Sequence, residues 1–141
     1  MNKIDKNFVL NNEILFLGVS KQYKMFSDMA YDGFVKKNVK VFPVRMDNEK
    51  YKYETFGSIN EISSVPKTAY TIMDTSDNKK IMKDLKAKGV TKILFHSKNI
   101  IDDELLTQCK ELGFEVAVSC PLMYYGSGLH RFHGFISGVK K

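Results

Sequence analysis

Short apolar runs alternate along the chain with longer stretches in which apolar residues recur every three or four positions. Glu13 to Ser20 reads Glu-Ile-Leu-Phe-Leu-Gly-Val-Ser, an almost continuous apolar run ending near a glycine. A strand covered on both faces of a parallel sheet reads this way. Ser27 is placed to cap a helix over Asp28 to Lys37, with apolar positions Met29, Ala30, Phe34 and Val35 and Asn38 as its stop. Lys40 to Val44 is a second strand. Its Pro43 marks a strand end or an edge, because proline cannot donate to a ladder. Arg45 to Pro66 is polar and rich in tyrosine, and reads as a connection with a short helix from Ile59 to Ser63. Ala69 to Met73 is a third strand. Asp77-Asn78 opens a helix with apolar Ile81, Met82, Leu85 and Ala87, stopped by Gly89. Lys92 to His96 is a fourth strand, Asp102 caps a helix running through Leu112 to Gly113, and Phe114 to Val118 is a fifth strand. Leu129 to Val139 predicts a last short helix.

Strict alternation of strands and helices predicts an α/β fold, a doubly wound, five-stranded parallel sheet in three αβα layers. Residues 1–141 read as a single domain, with no linker or internal repeat. Right-handed crossovers leave few topologies. The expected strand order is 3-2-1-4-5, with its switch point between the first and fourth strands. Ligands of such sheets bind in the crevice beyond the carboxyl ends of the strands at that point. It would gather Gly18 to Lys24, Pro43 to Arg45, Met73 to Thr75, His96 to Lys98, and Ser119-Cys120-Pro121.

Composition narrows the partners. Hydrophobic residues make up 43% and charged residues 27% of the chain, ordinary values for a globular protein. No apolar run approaches the roughly 20 residues of a membrane span, and Met1 to Lys6 lacks the apolar core of a secretory signal. Two cysteines, Cys109 and Cys120, are too few for a disulfide scaffold and fit a reducing, cytoplasmic setting. The net charge of +6 attracts phosphate-bearing partners. The lysines are spread over solvated helix faces, however, and no nucleic-acid motif accompanies them. The charge suits a small phosphate-bearing ligand better than DNA or RNA.

The first turn, Gly18-Val19-Ser20-Lys21, is the informative one. A glycine lets the backbone approach a ligand, a hydroxyl and a cation follow, and the helix beyond favours an anion at its start. The three glycines of the dinucleotide fingerprint are missing, as is a P-loop. Gly18-Val19-Ser20 also lacks the second glycine of a nucleophile elbow. Cys120, at a strand end before Pro121, is the one candidate for thiol chemistry; as a free cysteine it reads first as a small buried hydrophobe. His130 and His133 stand three apart, but the partners of a zinc site are missing, so no metal is expected. His96, at a strand end, reads as a structural histidine.

Several segments, in order, resemble the small CoA-binding domain proteins, a Rossmann-like family related to the CoA-binding domain of succinyl-CoA synthetase. Phe16 to Lys21 is similar to that family's strand-Gly-x-Ser turn, and Ser27 stands where its first helix opens. Val41-Phe42-Pro43-Val44 resembles its second strand. Phe56 to Ile62 with Pro66 resembles its G-x-x-x-x-x-S-L-x-D-I-P segment, and Ser119-Cys120-Pro121 its Cys-Pro. The likeness covers roughly residues 10 to 125. Arg45-Met46-Asp47 departs from the usual Asn-Pro, and His96-Ser97-Lys98 from an apolar-Gln-Gly stretch.

The resemblance implies coenzyme A as the cofactor. Phosphates would meet the turn of Gly18, Val19, Ser20 and Lys21 with Gln22 and Tyr23. Ser27 would follow, Pro43, Val44 and Arg45 would lie beside the adenosine, and Met73, Asp74 and Thr75 would line the pyrophosphate or pantetheine side. The expected function is binding of CoA or an acyl-CoA by a non-catalytic carrier, sensor or regulatory protein; self-association into a homo-oligomer stays open. Two alternatives remain. One is a CoA-dependent enzyme that uses the Cys120 thiol, and the other is a sensor of an NAD-type dinucleotide. Against the latter stands Val44-Arg45, where a conventional NAD site places an acidic residue.

Overall fold

The computed structural model of the protein describes residues 13–118. Its elements alternate as the apolar pattern predicts. β1 (Glu13–Val19) is followed by α1 (Lys24–Lys36), β2 (Lys40–Arg45), a 3₁₀ turn at Ile59–Glu61 and β3 (Thr68–Thr71). α2 (Thr75–Ala87), β4 (Lys92–Phe95), a 3₁₀ turn at Lys98–Ile100, α3 (Asp103–Glu111) and β5 (Glu115–Val118) complete it. The strands form one five-stranded sheet in which every neighbouring pair is parallel. The helix expected at Leu129 to Val139 lies outside the described residues, as do Ser119, Cys120 and Pro121.

The strand order is β2-β1-β3-β4-β5, which corrects the expected 3-2-1-4-5. The difference lies in the connection from residue 46 to 67. It carries the chain from β2 past β1 instead of laying β3 on the outer side of β2. Pro43 gives the physical reason. Its carbonyl accepts from the Phe56 N–H at 2.8 Å on the outer side of β2, so its missing N–H falls on that same side. A full strand there would lose a ladder bond, and only a single bridge, Val44 to Phe56, covers the edge. β3 is buried at all four positions, as a central strand must be. The switch point therefore falls between β1 and β3, from which right-handed crossovers run in opposite directions. They place α1 on one face and α2 with α3 on the other.

Helix ends follow local chemistry, with two corrections. α1 starts at Lys24, so Ser27 is not its cap; Ser27 is fully buried inside the first turn, and its N–H already bonds the Tyr23 carbonyl at 2.9 Å. α2 is capped by Asp74, whose carboxylate accepts from the Asp77 N–H, rather than opened at Asp77-Asn78. Asp102 caps α3 as expected. Asn38 ends α1 with a φ of 64°, a conformation its short side chain tolerates.

On the α1 face, Phe16, Phe34 and Tyr70 form a ring cluster with centroids 5.5 to 6.4 Å apart. Each ring kept from water is worth roughly 1.5–3 kcal/mol, which ties α1 to β1 and β3. On the other face the Cys109 thiol lies 3.7 Å from the Met82 sulfur. Burial pushes that thiol up to about 12, which leaves it protonated and inert.

Candidate functional site

The switch point opens a cleft of about 530 Å³ across the carboxyl ends of β2, β1, β3 and β4. Each strand exit contributes a wall. Met46 and Asp47 follow β2, while Gly18, Ser20, Gln22, Tyr23 and Phe26 come from β1 and the start of α1. Ile72, Met73, Asp74 and Asp77 follow β3, and His96 and Ile100 follow β4.

Gly18 makes the cleft possible. Its φ is 109°, and a Cβ there would stand 2.7 Å from the Ile72 side chain and 3.1 Å from the Met73 N. Only a glycine fits that conformation and that contact. The opposite wall is fixed by a buried network. The Thr71 hydroxyl donates to Asn78 Oδ1 at 2.7 Å, the Met73 N–H donates to that hydroxyl, and Asn78 Nδ2 donates to the Met73 carbonyl. Asn78 is therefore a buried brace for the β3–α2 turn, with its polar groups satisfied.

The two helix starts at the cleft differ in charge. α1 has no acidic residue in its first turn and no side-chain cap at Tyr23. α2 has the Asp74 cap and Asp77 in its first turn. Asp47 adds a third carboxylate at the β2 side. Its Oδ2 accepts from the Lys21 N–H at 2.9 Å, and its Oδ1 accepts from the Tyr51 hydroxyl at 2.5 Å and the Glu49 N–H at 3.2 Å. The Tyr51 hydrogen bond, ahead of the backbone donors, holds its carboxyl below the ordinary carboxylate range. Among the described residues no lysine or arginine lines the cleft.

At the far end His96 is half-buried and packs its ring on Phe26, with centroids 5.3 Å apart. Burial lowers its pKa, so the imidazole is neutral at neutral pH. Among the described residues no group of His, Cys, Asp or Glu is arranged to hold a metal ion.

Of the residues singled out from the sequence, Gly18, Ser20, Gln22, Tyr23, Met73, Asp74 and His96 line the cleft together. The others are placed elsewhere, each for a visible reason. Val19 is buried in β1, and its carbonyl accepts from the Met46 N–H at 2.8 Å. Lys21 turns its ammonium over the Tyr51 ring, 4.8 Å from the centroid. Ser27 is sealed under α1, and Pro43 and Val44 belong to β2 itself. Arg45 points to the outer loop, where its guanidinium donates to the Thr55 hydroxyl at 3.1 Å and carbonyl at 3.3 Å. Thr75 begins α2 but is not in the lining. Sequence reasoning missed Phe26, Met46, Asp47, Ile72, Asp77 and Ile100. Asp47 had a signal, an acidic residue just past the second strand; the rest are ordinary apolar or helix-start residues until the strands are ordered.

A cleft lined by polar and apolar groups at the switch point of a parallel sheet is where ligands of such folds bind. The chain matches the CoA binding domain family over residues 12–126, and it belongs to that family. Solved structures share the fold. A protein redesigned for binding is 16% identical, with a TM-score of 0.72 and 87% of each chain covered. A hypothetical protein from Pyrococcus horikoshii is 14% identical, with a TM-score of 0.70 and 87% of each chain covered. A Thermus thermophilus protein is 18% identical, with a TM-score of 0.68, over 84% of this chain and 90% of that one. No curated protein matches the chain by sequence. Among the described residues no helix is long and apolar enough to cross a membrane.

Proposed function

We propose that the cleft binds coenzyme A or an acyl-CoA and that the protein acts as a carrier, sensor or regulatory protein rather than an enzyme. The carrying observation is the contrast between the two helix starts. The first turn of α1 offers backbone N–H groups and a positive dipole end with no carboxylate of its own, which suits a pyrophosphate. Apolar Ile72, Met73 and Ile100 continue the cleft away from that point, a floor suited to a pantetheine arm. In the lining, the Ser20 hydroxyl accepts from the Tyr23 N–H at 3.3 Å, and His96 packs on Phe26. Cys120, the candidate for a thiol enzyme, lies outside the described residues.

One observation favours a second reading. Asp47 lines the cleft just past β2, near where a carboxylate takes the ribose hydroxyls of an NAD-type dinucleotide. β2 itself ends in Val44-Arg45, so this carboxylate stands two residues beyond the strand end. Thermal shift with CoA, acetyl-CoA, NAD, ATP and a short DNA duplex separates the readings. A ligand at about 100 times its dissociation constant adds about 2.7 kcal/mol of stability. CoA and acetyl-CoA are expected to raise the melting temperature. A shift with NAD and none with either CoA ligand would replace the first reading by the second, and a shift with the duplex alone would overturn both.

A further inference from the structure

We infer that His96 is the residue that receives the sulfur end of the ligand, at the β4 end of the cleft. The inference rests on the CoA reading and adds a direction to it. The cleft meets two helix starts, and α2 is closed to phosphate by its own Asp74 and Asp77. Phosphate is therefore directed to α1, beside β1. From there the cleft continues past the β3 exit, over Ile72 and Met73, to His96 and Ile100 beyond β4. Two strand spacings separate β1 from β4, roughly 10 Å. An extended arm anchored at α1 thus runs along apolar side chains and ends against an imidazole.

The imidazole is suited to that end of the molecule. Phe26 fixes its ring from the α1 side, and its backbone N–H is anchored to the Thr71 carbonyl at 3.1 Å. A neutral ring carries one N–H donor and one acceptor nitrogen. It can accept from a thiol or donate to the carbonyl of an acyl thioester, and it adds no charge to a cleft that already holds three carboxylates.

The test follows the His96 ring proton by NMR, assigned with His96→Gln, while the full chain is titrated with CoA, acetyl-CoA or adenosine 3′,5′-diphosphate. CoA and acetyl-CoA are expected to shift the His96 signal, whereas the nucleotide, which lacks the arm, binds and leaves it in place. His96→Gln is expected to weaken CoA about fivefold, the worth of a single neutral hydrogen bond, with the nucleotide's affinity unchanged. Binding of CoA without a His96 shift overturns the inference and leaves the CoA reading standing. An equal shift with the nucleotide alone reverses the direction and overturns it too. Absence of CoA binding by calorimetry removes both.

Discussion

α1 and α2 both aim their N-termini at one cleft, and they are finished in opposite ways. α2 has an extended cap residue, Asp74, whose carboxylate accepts from Asp77, and a second carboxylate in the first turn. α1 begins after an irregular turn at Tyr23, with φ −117° and ψ 38°, and no side-chain cap. Lys24, its first residue, is held by Asp28 at 2.8 Å. One helix start is completed from within the chain. The other spends the Lys21 N–H on Asp47 and the Lys24 N–H on the Lys21 carbonyl, and has no side-chain cap for the first-turn N–H groups that follow, next to the glycine that keeps the cleft open. A fold gains stability from the first arrangement and a binding site from the second, because a helix start that supplies its own anion has little left for a ligand's.

The contrast depends most on Gly18. Gly18→Val would put a β-branched side chain at a φ of 109° and into Ile72. It is expected to cost about 3 kcal/mol or more, seen as a lower urea midpoint. An unchanged midpoint would show that the β1–α1 turn does not need glycine. Next in size is an exchange of character between the helices. Tyr23→Asp should give α1 the acidic start of α2, leave stability equal or up to about 1 kcal/mol higher, and weaken an anionic nucleotide about tenfold. Asp74→Ala should cost about 1 kcal/mol through the lost cap without weakening that ligand. Calorimetry beside urea unfolding reads both. If Tyr23→Asp bound nucleotide as tightly as the native chain, α1 would not be the anion site.

The smallest effect expected is on the pH dependence of stability. Burial holds the folded His96 below its ordinary value. The unfolded chain therefore binds more protons than the folded one between the two values, and stability rises with pH there. The contribution is intact above the unfolded value, about 6.5, and is lost as pH falls through the folded one. Asp47, lowered by its Tyr51 hydrogen bond, gives the same sign further down: its contribution holds above about pH 4 and fades below. Urea midpoints should fall between about pH 7.5 and 5.5, and less so in His96→Gln. Equal slopes in the two proteins would remove His96 as the cause.

Much of the fold was legible because its signals are local. The run from Ile14 to Leu17 is wholly buried, as a strand covered on both faces should be. Asn38, Gly89 and Gly113 adopt positive φ where the helix pattern stops. Asp102 caps where its position suggested. Ser27 misled because its cap signal competes with a burial signal, and one helical turn moved the start to Lys24. Arg45 misled in another way. Its place at the end of β2 was right, but which side of the edge strand its side chain takes depends on the loop of Thr55 to Gly57 packed there.

The sequence by itself determined the alternation of strands and helices, the parallel sheet, the Gly18 turn and the order of segments shared with the CoA binding domain family. Each is written in spacing between near neighbours, where periodicity and backbone sterics act. Only the tertiary structure decided that β3 lies beside β1, that the switch point falls there, and that Asp47 and Phe26 share the cleft of Gly18 and His96. Those are contacts between strand exits far apart in the chain. They are set by which strand tolerates an open edge, and Pro43 pointed to the edge without naming the neighbour on the other side of β1.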